Sequence, residues 1–245
     1  MPEARYLYCL TNRMEQDYGN IGLDNNRVYS IFYKDVAAVV HDCESKPYES
    51  KNVEKAKDWI LVHNHIIETV MSNIWETIPF SFDTIIKDER ALKDWLDSVY
   101  QKIKQEFQRL SGRLEYGIDI FLPNVVQTDF GKINSGKDYL LKKRRENLAL
   151  EKLAVEAALY NSEITESVKD AVKYVQKRQP RIVPEGFGDK IFVASFSCLA
   201  NQEEVKKLGS LLDEINKKFV VRFTGPWPPY SFVNSFEVKN EPSKK

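Results

Sequence analysis

The chain has 245 residues, of which 42% are hydrophobic, and this apolar content can form one large core or two small ones. Its 36 lysines and arginines equal its 36 aspartates and glutamates, so no global charge favours nucleic acid, an anionic membrane or an acidic substrate. The longest apolar runs, such as 36–40 and 191–196, are far shorter than the roughly 20 residues that cross a bilayer.

The first half of the chain has the pattern of an α+β unit. Residues 6–10 predict a strand, and 28–33 with 36–40 predict a hairpin that turns at Lys34-Asp35. From Val53 the period becomes helical, with a predicted buried stripe of Ala56, Ile60, His63, Ile67, Val70 and Ile74. A second helix is predicted to end at Ser111-Gly112, and its stripe is Leu92, Trp95, Val99, Ile103, Phe107 and Leu110.

A half-buried strand opens the second half, because apolar residues 114, 116, 118 and 120 alternate with Arg113, Glu115, Gly117 and Asp119. A turn-rich loop at 123–136 precedes a long charged segment in which Leu141, Leu148 and Val155 fall seven apart, as on a helical seam. Another helix is predicted at 164–177.

The last predicted elements are a central strand at 191–198, a helix and a closing strand. Asn201 and Glu204 resemble a capping box, and the helix they start has its stripe at Val205, Leu208, Leu212, Ile215 and Phe219. Phe219, Val221 and Phe223 alternate as the closing strand, and a short extra strand fits near 181–183. This order is compatible with a ferredoxin-like α+β sandwich.

We therefore predict an α+β protein with two domains. Residues 1–112 form the N-terminal α+β domain, 113–224 the C-terminal ferredoxin-like domain, and 225–245 a proline and aromatic segment with a tail.

Compartment and redox state follow from what the chain lacks. The start of the chain has no basic region, apolar stretch or cleavage site of a signal peptide, so we expect a cytoplasmic protein. Cys9, Cys43 and Cys198 are odd in number and widely separated, which predicts reduced, buried thiols.

Catalytic and metal signatures are weak. His63 and His65 are two residues apart and so cannot share one helix face as zinc ligands, and His41 ends a strand without an obvious partner. We expect no catalytic residue, no cofactor and no metal, and a core role for His63. An enzyme or an RNA-binding protein on a ferredoxin-like scaffold is the alternative function.

Lys142, Lys143, Arg144 and Arg145 form a basic run that is a candidate surface for an acidic partner or nucleic acid. Charge patterning favours a solvated helix face balanced by nearby glutamates. No nucleic-acid or membrane partner is expected.

The octet at 225–232 restricts its backbone with three prolines and carries three large aromatic residues. It is a candidate docking element, or a lid that folds back over its own domain. The residues concerned are Pro226, Trp227, Pro228, Pro229, Tyr230 and Phe232.

The same octet resembles the terminal signature of the gas vesicle protein F and L family. Further similar stretches follow in order along the chain: Tyr6–Tyr8, Val36–Val40, His63–Val70 and Ser135–Leu140. The chain has Ser81-Phe82-Asp83-Thr84 where the family often has Arg-Phe-Gly-Thr, which leaves any role of that arginine without a counterpart.

The resemblance implies a minor accessory protein that is required for gas vesicle formation and associated with the vesicles. It also implies two α+β domains, the C-terminal one a modified ferredoxin-like fold. The implied partners are the hydrophobic shell protein (GvpA type) and other gas vesicle accessory proteins, which the chain would bind to aid nucleation or assembly. The family brings no catalytic residues.

Overall fold

The computed structural model describes residues 4–12, 16–73, 76–123, 135–179, 186–187, 190–233 and 236, apart from the side chains of 146 and 150. The predicted loop at 123–136 lies mostly outside these ranges, and the predicted strand at 181–183 lies wholly outside them. Helices and antiparallel sheets are both present, so the predicted mixed α+β class is confirmed.

The chain divides into two compact units. Unit 1 contains Met1–Leu114 with Trp227–Lys245, and unit 2 contains Glu115–Pro226. The division from the sequence also cuts the chain near residue 112, but it places everything after 224 in a separate segment. In the structure, Trp227 and the residues that follow it belong to unit 1.

Unit 1 is built on a sheet with the strand order β2-β3-β4-β1-β5, in which β6 also pairs with β1. The predicted hairpin is confirmed, since Tyr33 pairs with Val36 across Lys34-Asp35. The strands are β1 (Ala4–Asn12), β2 (Asp17–Gly19), β3 (Val28–Tyr33), β4 (Val36–Cys43), β5 (Thr77–Pro79) and β6 (Ile85–Ile86).

Helices α1 (Val53–Asn73) and α2 (Glu89–Leu110) complete the regular structure of unit 1. His63 is buried as predicted, but Ile60 is 46% exposed. Trp59 is buried in its place, with its ring 5.2 Å from that of Tyr48, whereas the predicted Ile67 and Val70 are buried as expected. The face of α1 that packs in the core with β1 is Trp59, Ile66, Ile67 and Val70. Ile74 lies outside the described residues.

Unit 2 follows the order strand, helix, strand, strand, helix, strand. Its sheet has the order β10-β7-β9-β8, so β9 is an interior strand as predicted. The predicted capping box at Asn201 and Glu204 is present at the start of α4. The elements are β7 (Leu114–Leu122), α3 (Gly136–Ala171), β8 (Tyr174–Lys177), β9 (Ile191–Ala200), α4 (Gln202–Asn216) and β10 (Val220–Trp227).

The predicted helix at 164–177 is wrong in its second half. A single helix, α3, runs to Ala171, and its C-cap Val172 takes an extended conformation. Strand β8 follows, and Tyr174 and Val175 are aromatic and β-branched residues that suit a pleated strand better than a helix end. Within the described part of the chain, no helix combines the length and the apolar character that crossing a bilayer requires.

The half-buried character predicted for β7 is also wrong, because both of its faces are enclosed. Asp119 is only 6% exposed, and it accepts a hydrogen bond from Ser195 at 2.6 Å. Arg222 lies 2.9 Å from its carboxylate and Arg178 lies 3.6 Å away. At Gly117 a methyl group would come within 2.6 Å of the Thr224 hydroxyl, so the strands require glycine there. Cys9, Cys43 and Cys198 are free and buried, as predicted.

We expect Asp119→Ala to lower the free energy of unfolding by about 2 kcal/mol, because a buried hydroxyl and two guanidinium groups lose their shared acceptor. The two arginine side chains are about 40% exposed, which keeps the loss below that of a fully buried ion pair. Urea unfolding measures it. Asp213→Ala, which removes an exposed carboxylate, is the matched control and should stay within about 0.5 kcal/mol of wild type. Equal losses in the two variants would contradict this account.

Candidate functional site

The C-terminal octet does not form one extended segment. Its first three residues belong to β10, which ends at Trp227, and Tyr230–Phe232 form a short 3-10 helix. The amide of Phe232 donates to the Pro229 carbonyl at 3.0 Å, and that of Tyr230 donates to the Pro228 carbonyl at 2.8 Å. Proline has the backbone φ of a first helical turn, so this pair of prolines supports a turn as readily as an extended chain.

One side of the octet is anchored in unit 1. Pro228, Pro229 and Phe232 are buried. Arg109 of α2 forms an ion pair with Glu106 and donates a hydrogen bond to the Phe232 carbonyl. The Phe236 ring lies 6.2 Å from both the Phe80 and Trp95 rings. The buried side of the octet therefore packs in unit 1, although the strand that leads into it belongs largely to unit 2.

The other side of the octet faces outward. Trp227 is 49% exposed and Tyr230 is 36% exposed. The Tyr230 hydroxyl donates to the Asn64 side chain at 2.7 Å, and burial of that end of the ring raises its pKa. Ile60 and Leu61 are also exposed, and they lie one turn before Asn64 on the same face of α1. We call the exposed rings of Trp227 and Tyr230 the aromatic surface.

The basic run lies in the first half of α3. Lys142 is half-buried, and Lys143, Arg144 and Arg145 are exposed. Successive helical residues are about 100° apart, so these four charges spread around the helix and do not form one face. This arrangement is a poor match to the continuous basic stripe of a nucleic-acid footprint.

A buried network of tyrosines and histidines in unit 1 is absent from the sequence prediction. The Tyr6 hydroxyl lies 2.9 Å from His63 Nδ1, and the Tyr8 hydroxyl lies 2.8 Å from His41 Nδ1. The other ring nitrogen of His41 is 2.9 Å from the Tyr48 hydroxyl. His41 thus has two partners where the sequence suggested none. The available signal was the spacing of Tyr6 and Tyr8, which puts both on one face of β1.

Each polar group of this network has a partner inside the protein. The Tyr6 and Tyr8 hydroxyls accept the amides of Asp83 and Leu23, which leaves them to donate to the imidazoles. His63 Nε2 donates to the Phe80 carbonyl at 3.0 Å. Burial raises the pKa of both tyrosines, and at most 1% of any of the four side chains is exposed. These four side chains are enclosed by the protein, while Tyr48, the fifth member of the network, is partly exposed at its edge.

An open cleft of about 690 Å³ lies beside the network. Both of its lysines already pair with acidic residues, Lys55 with Asp24 at 3.5 Å and Lys46 with Glu44 at 2.5 Å. Among the described residues, no group of three or more histidines, cysteines or acidic residues could hold a metal ion.

Comparison with known proteins gives consistent matches over nearly the whole chain. A family model described as gas vesicle synthesis protein GvpL/GvpF matches residues 4–234. Gas vesicle protein L of Haloferax mediterranei is 28% identical over 245 aligned residues, which cover 89% of this chain and 74% of that protein. Gas vesicle protein L1 of Halobacterium salinarum is 27% identical, with 94% and 90% covered.

A solved structure shares the fold. The crystal structure of the gas vesicle protein GvpF from Anabaena aligns with a TM-score of 0.69 and covers 95% of this chain and 99% of its own. The two sequences are 16% identical, so this likeness concerns the fold alone.

Phe232→Ala should lower the free energy of unfolding by about 3 kcal/mol, because it empties a buried site in unit 1. Trp227→Ala, which removes an aromatic ring that is half exposed, should cost about 0.5 kcal/mol or less. Chemical denaturation compares the two variants. A larger loss for Trp227→Ala would contradict the assignment of inner and outer sides.

The two buried histidines should make stability fall as the pH falls. Burial lowers the pKa of His41 and of His63 to about 4, against an ordinary value near 6.5. Between these values the unfolded chain binds protons that the folded chain does not, so acid favours unfolding. Each histidine should contribute about 2 kcal/mol to the loss of stability between pH 7 and pH 5.

Urea unfolding at a series of pH values measures this slope. His63→Gln should remove about half of the contribution of the two histidines, and the matched change His65→Gln, at an exposed position of the same helix, should preserve it. A slope that does not change in His63→Gln would contradict the prediction.

Proposed function

Because the chain belongs to the gas vesicle synthesis protein GvpL/GvpF family, we propose that it is a non-enzymatic accessory protein that binds the hydrophobic shell protein in the cytoplasm and aids nucleation or assembly of the vesicle wall. Other accessory proteins of the vesicle are its further partners. The observation that carries this proposal is the aromatic surface of unit 1. Trp227 is 49% exposed and Tyr230 is 36% exposed, and the backbone next to them is held by the hydrogen bond from Arg109 to the Phe232 carbonyl.

The aromatic surface suits docking for two physical reasons. Trp227 and Tyr230 offer large apolar area with few rotatable bonds, and tryptophan and tyrosine are enriched among residues that dominate binding energy. Their backbone is ordered before binding, since Pro228, Pro229 and Phe232 are buried and Tyr230 is hydrogen-bonded to Asn64. Less conformational entropy is therefore lost when a partner binds.

A shell subunit is a partner of matching chemistry. A small protein that exposes a large apolar face before assembly aggregates unless that face is covered. A protein that binds this face keeps the subunit available and delivers it to a growing wall by mass action. The aromatic surface could cover part of such a face, because its apolar rings are carried by a backbone that is already ordered.

Two further features are consistent with this proposal: the fold of unit 2 and the buried polar network of unit 1. The order β7-α3-β8-β9-α4-β10, with the sheet order β10-β7-β9-β8, supports a ferredoxin-like domain whose first helix is extended to 36 residues. The tyrosine and histidine network of unit 1 supports a role without catalysis, because the hydroxyls of Tyr6 and Tyr8 and both imidazoles are engaged with partners and buried.

The double variant Trp227→Ala with Tyr230→Ala should weaken binding to the purified shell protein by about 30-fold, or on the order of 2 kcal/mol, as expected when two aromatic anchors are lost. Its free energy of unfolding should fall by roughly 1–2 kcal/mol, because Tyr230 is only 36% exposed and loses its hydrogen bond to Asn64, so binding is compared under conditions where both proteins are folded. Biolayer interferometry with immobilised shell protein measures the affinity.

The matched control is Tyr139→Ala, which removes an aromatic ring that is 50% exposed in unit 2 and should leave binding unchanged. If the double variant keeps both its stability and its full affinity, the aromatic surface is not the docking site.

A further inference from the structure

The open cleft of unit 1 has an aromatic wall. Trp59 of α1 and Tyr48 line it, and their rings are nearly perpendicular with centroids 5.2 Å apart. The cleft measures about 690 Å³, a volume typical of sites that hold a small chemical group. The chemistry of its lining therefore indicates which kind of group it accepts.

A positive charge already lies on this wall. The ammonium of Lys55 is 4.7 Å from the centre of the Trp59 ring, which is within the range of a cation–π contact. The same ammonium lies 3.5 Å from the carboxylate of Asp24. The Trp59 indole N–H donates to that carboxylate at 3.0 Å and so holds ring and charge together. We call the Trp59 ring and the Asp24 carboxylate the cation site.

Lys55 holds the cation site only weakly. Its side chain is 51% exposed, and that of Asp24 is 49% exposed. Exposed ion pairs contribute little stability, and at 3.5 Å this pair is longer than a hydrogen-bonded one. A second cation that brings its own contacts can therefore take the place of the Lys55 ammonium.

The rest of the lining also favours a positive group. Four carboxylates and two lysines line the cleft: Asp24, Asp42, Glu44, Glu49, Lys46 and Lys55. Asp42 is already paired with Arg5 at 3.1 Å, and Glu44 is paired with Lys46. Glu49 is exposed, and its carboxylate makes no ion pair with a described residue. An incoming cation therefore meets Glu49 as well as the cation site.

The backbone that carries the cation site has a conformation that side chains rarely adopt. Asp24 has a φ of 51° and a ψ of 34°, and the next residue, Asn25, has a φ of 60°. Aspartate and asparagine adopt this left-handed region more readily than other residues with a side chain. Such strained positions concentrate where proteins hold ligands. Here the turn places the Asp24 carboxylate against the indole of Trp59.

We propose that this cleft binds a basic side chain, the ammonium of a lysine or the guanidinium of an arginine, on a partner protein. The incoming cation displaces the Lys55 ammonium from the Trp59 ring and pairs with Asp24. Lys46 and the displaced Lys55 remain as positive charges nearby, so the cleft favours one incoming charge over a free polyamine with several. The site shares no residue with the aromatic surface and adds a second contact to the proposed function.

NMR titration of the isotope-labelled full chain at low ionic strength tests the proposal. The probe is a short capped peptide of glycines with one lysine at its centre. It should shift the indole N–H signal of Trp59 saturably, with a dissociation constant of about 1 mM. The matched peptide with norleucine in place of lysine should not, and the indole signal of Trp227 should stay unchanged with both peptides.

Substitutions that each change one charge distinguish the cation site from diffuse electrostatics. Asp24→Asn keeps an acceptor for the indole N–H and a residue that suits the left-handed backbone, and it should weaken binding of the lysine peptide about 10-fold. Lys55→Met removes the competing ammonium at similar length and should tighten binding about 5-fold. The matched control is Glu54→Gln, an exposed position of α1 outside the cleft, which should stay within about 2-fold of wild type.

Four results would overturn the proposal. One is the lack of a saturable shift in wild type with both the lysine peptide and its arginine counterpart. Another is a loss of affinity in Glu54→Gln as large as that in Asp24→Asn. Affinity that does not rise in Lys55→Met contradicts the displacement step. Tighter binding of spermidine than of the peptide assigns the cleft to a free polyamine and contradicts the protein partner.

None of these results bears on the proposed shell contact of Trp227 and Tyr230. That contact is tested with different variants and with the shell protein itself, so either proposal can fail while the other stands.

Discussion

Tyr6 and Tyr8 bury two hydroxyl groups on one face of β1, and the need to satisfy them organises unit 1. A buried hydroxyl without a partner costs on the order of 1–3 kcal/mol, so each tyrosine fixes an imidazole and a backbone amide around it. His63 comes from α1, and its other nitrogen holds the Phe80 carbonyl. The Phe80 ring contacts Phe236, which follows the C-terminal octet. The hydrogen bonds of the buried tyrosines and histidines therefore help to position Phe80, against which the residues that follow the octet pack.

The sequence predicts the elements whose signals are local. The hairpin at 28–40 and the cap at Asn201 depend on neighbours within a few residues, and both are present in the structure. The prediction errors arise where residues far apart in the sequence determine whether a side chain is buried. Asp119 was assigned to a solvent face by alternation, but Arg222 and Ser195, more than 70 residues away, make its burial favourable. The stripe of α1 was predicted correctly at His63, Ile67 and Val70 but wrongly at Ile60, because Trp59 and Ile60 are both apolar and only packing distinguishes them.

The sequence draws attention to the octet as a candidate site, but it does not indicate which of the aromatic rings are buried and which are exposed. The octet can be recognised from the sequence alone, because its prolines restrict the backbone and its aromatic rings supply contact area. Which rings point inward depends on α2, since Arg109 and Trp95 lie more than 100 residues before the segment they hold. The tyrosine and histidine network was missed for the same reason. Tyr6 and His63 are 57 residues apart, and no periodicity connects them.

The path of the chain through its two units has a consequence for synthesis. Unit 2 is inserted between Leu114 and Trp227, so unit 1 takes its last residues from the opposite end of the chain. A ribosome has therefore made all of unit 2 before Phe232 and Phe236 emerge to close the core of unit 1. Until then Phe80 and Trp95 lack their contact with the Phe236 ring. Trp227 and Tyr230 also lack the buried Phe232 that fixes their backbone in unit 1. A nascent chain that ends before Phe236 therefore cannot complete the aromatic packing of unit 1 around Phe80 and Trp95.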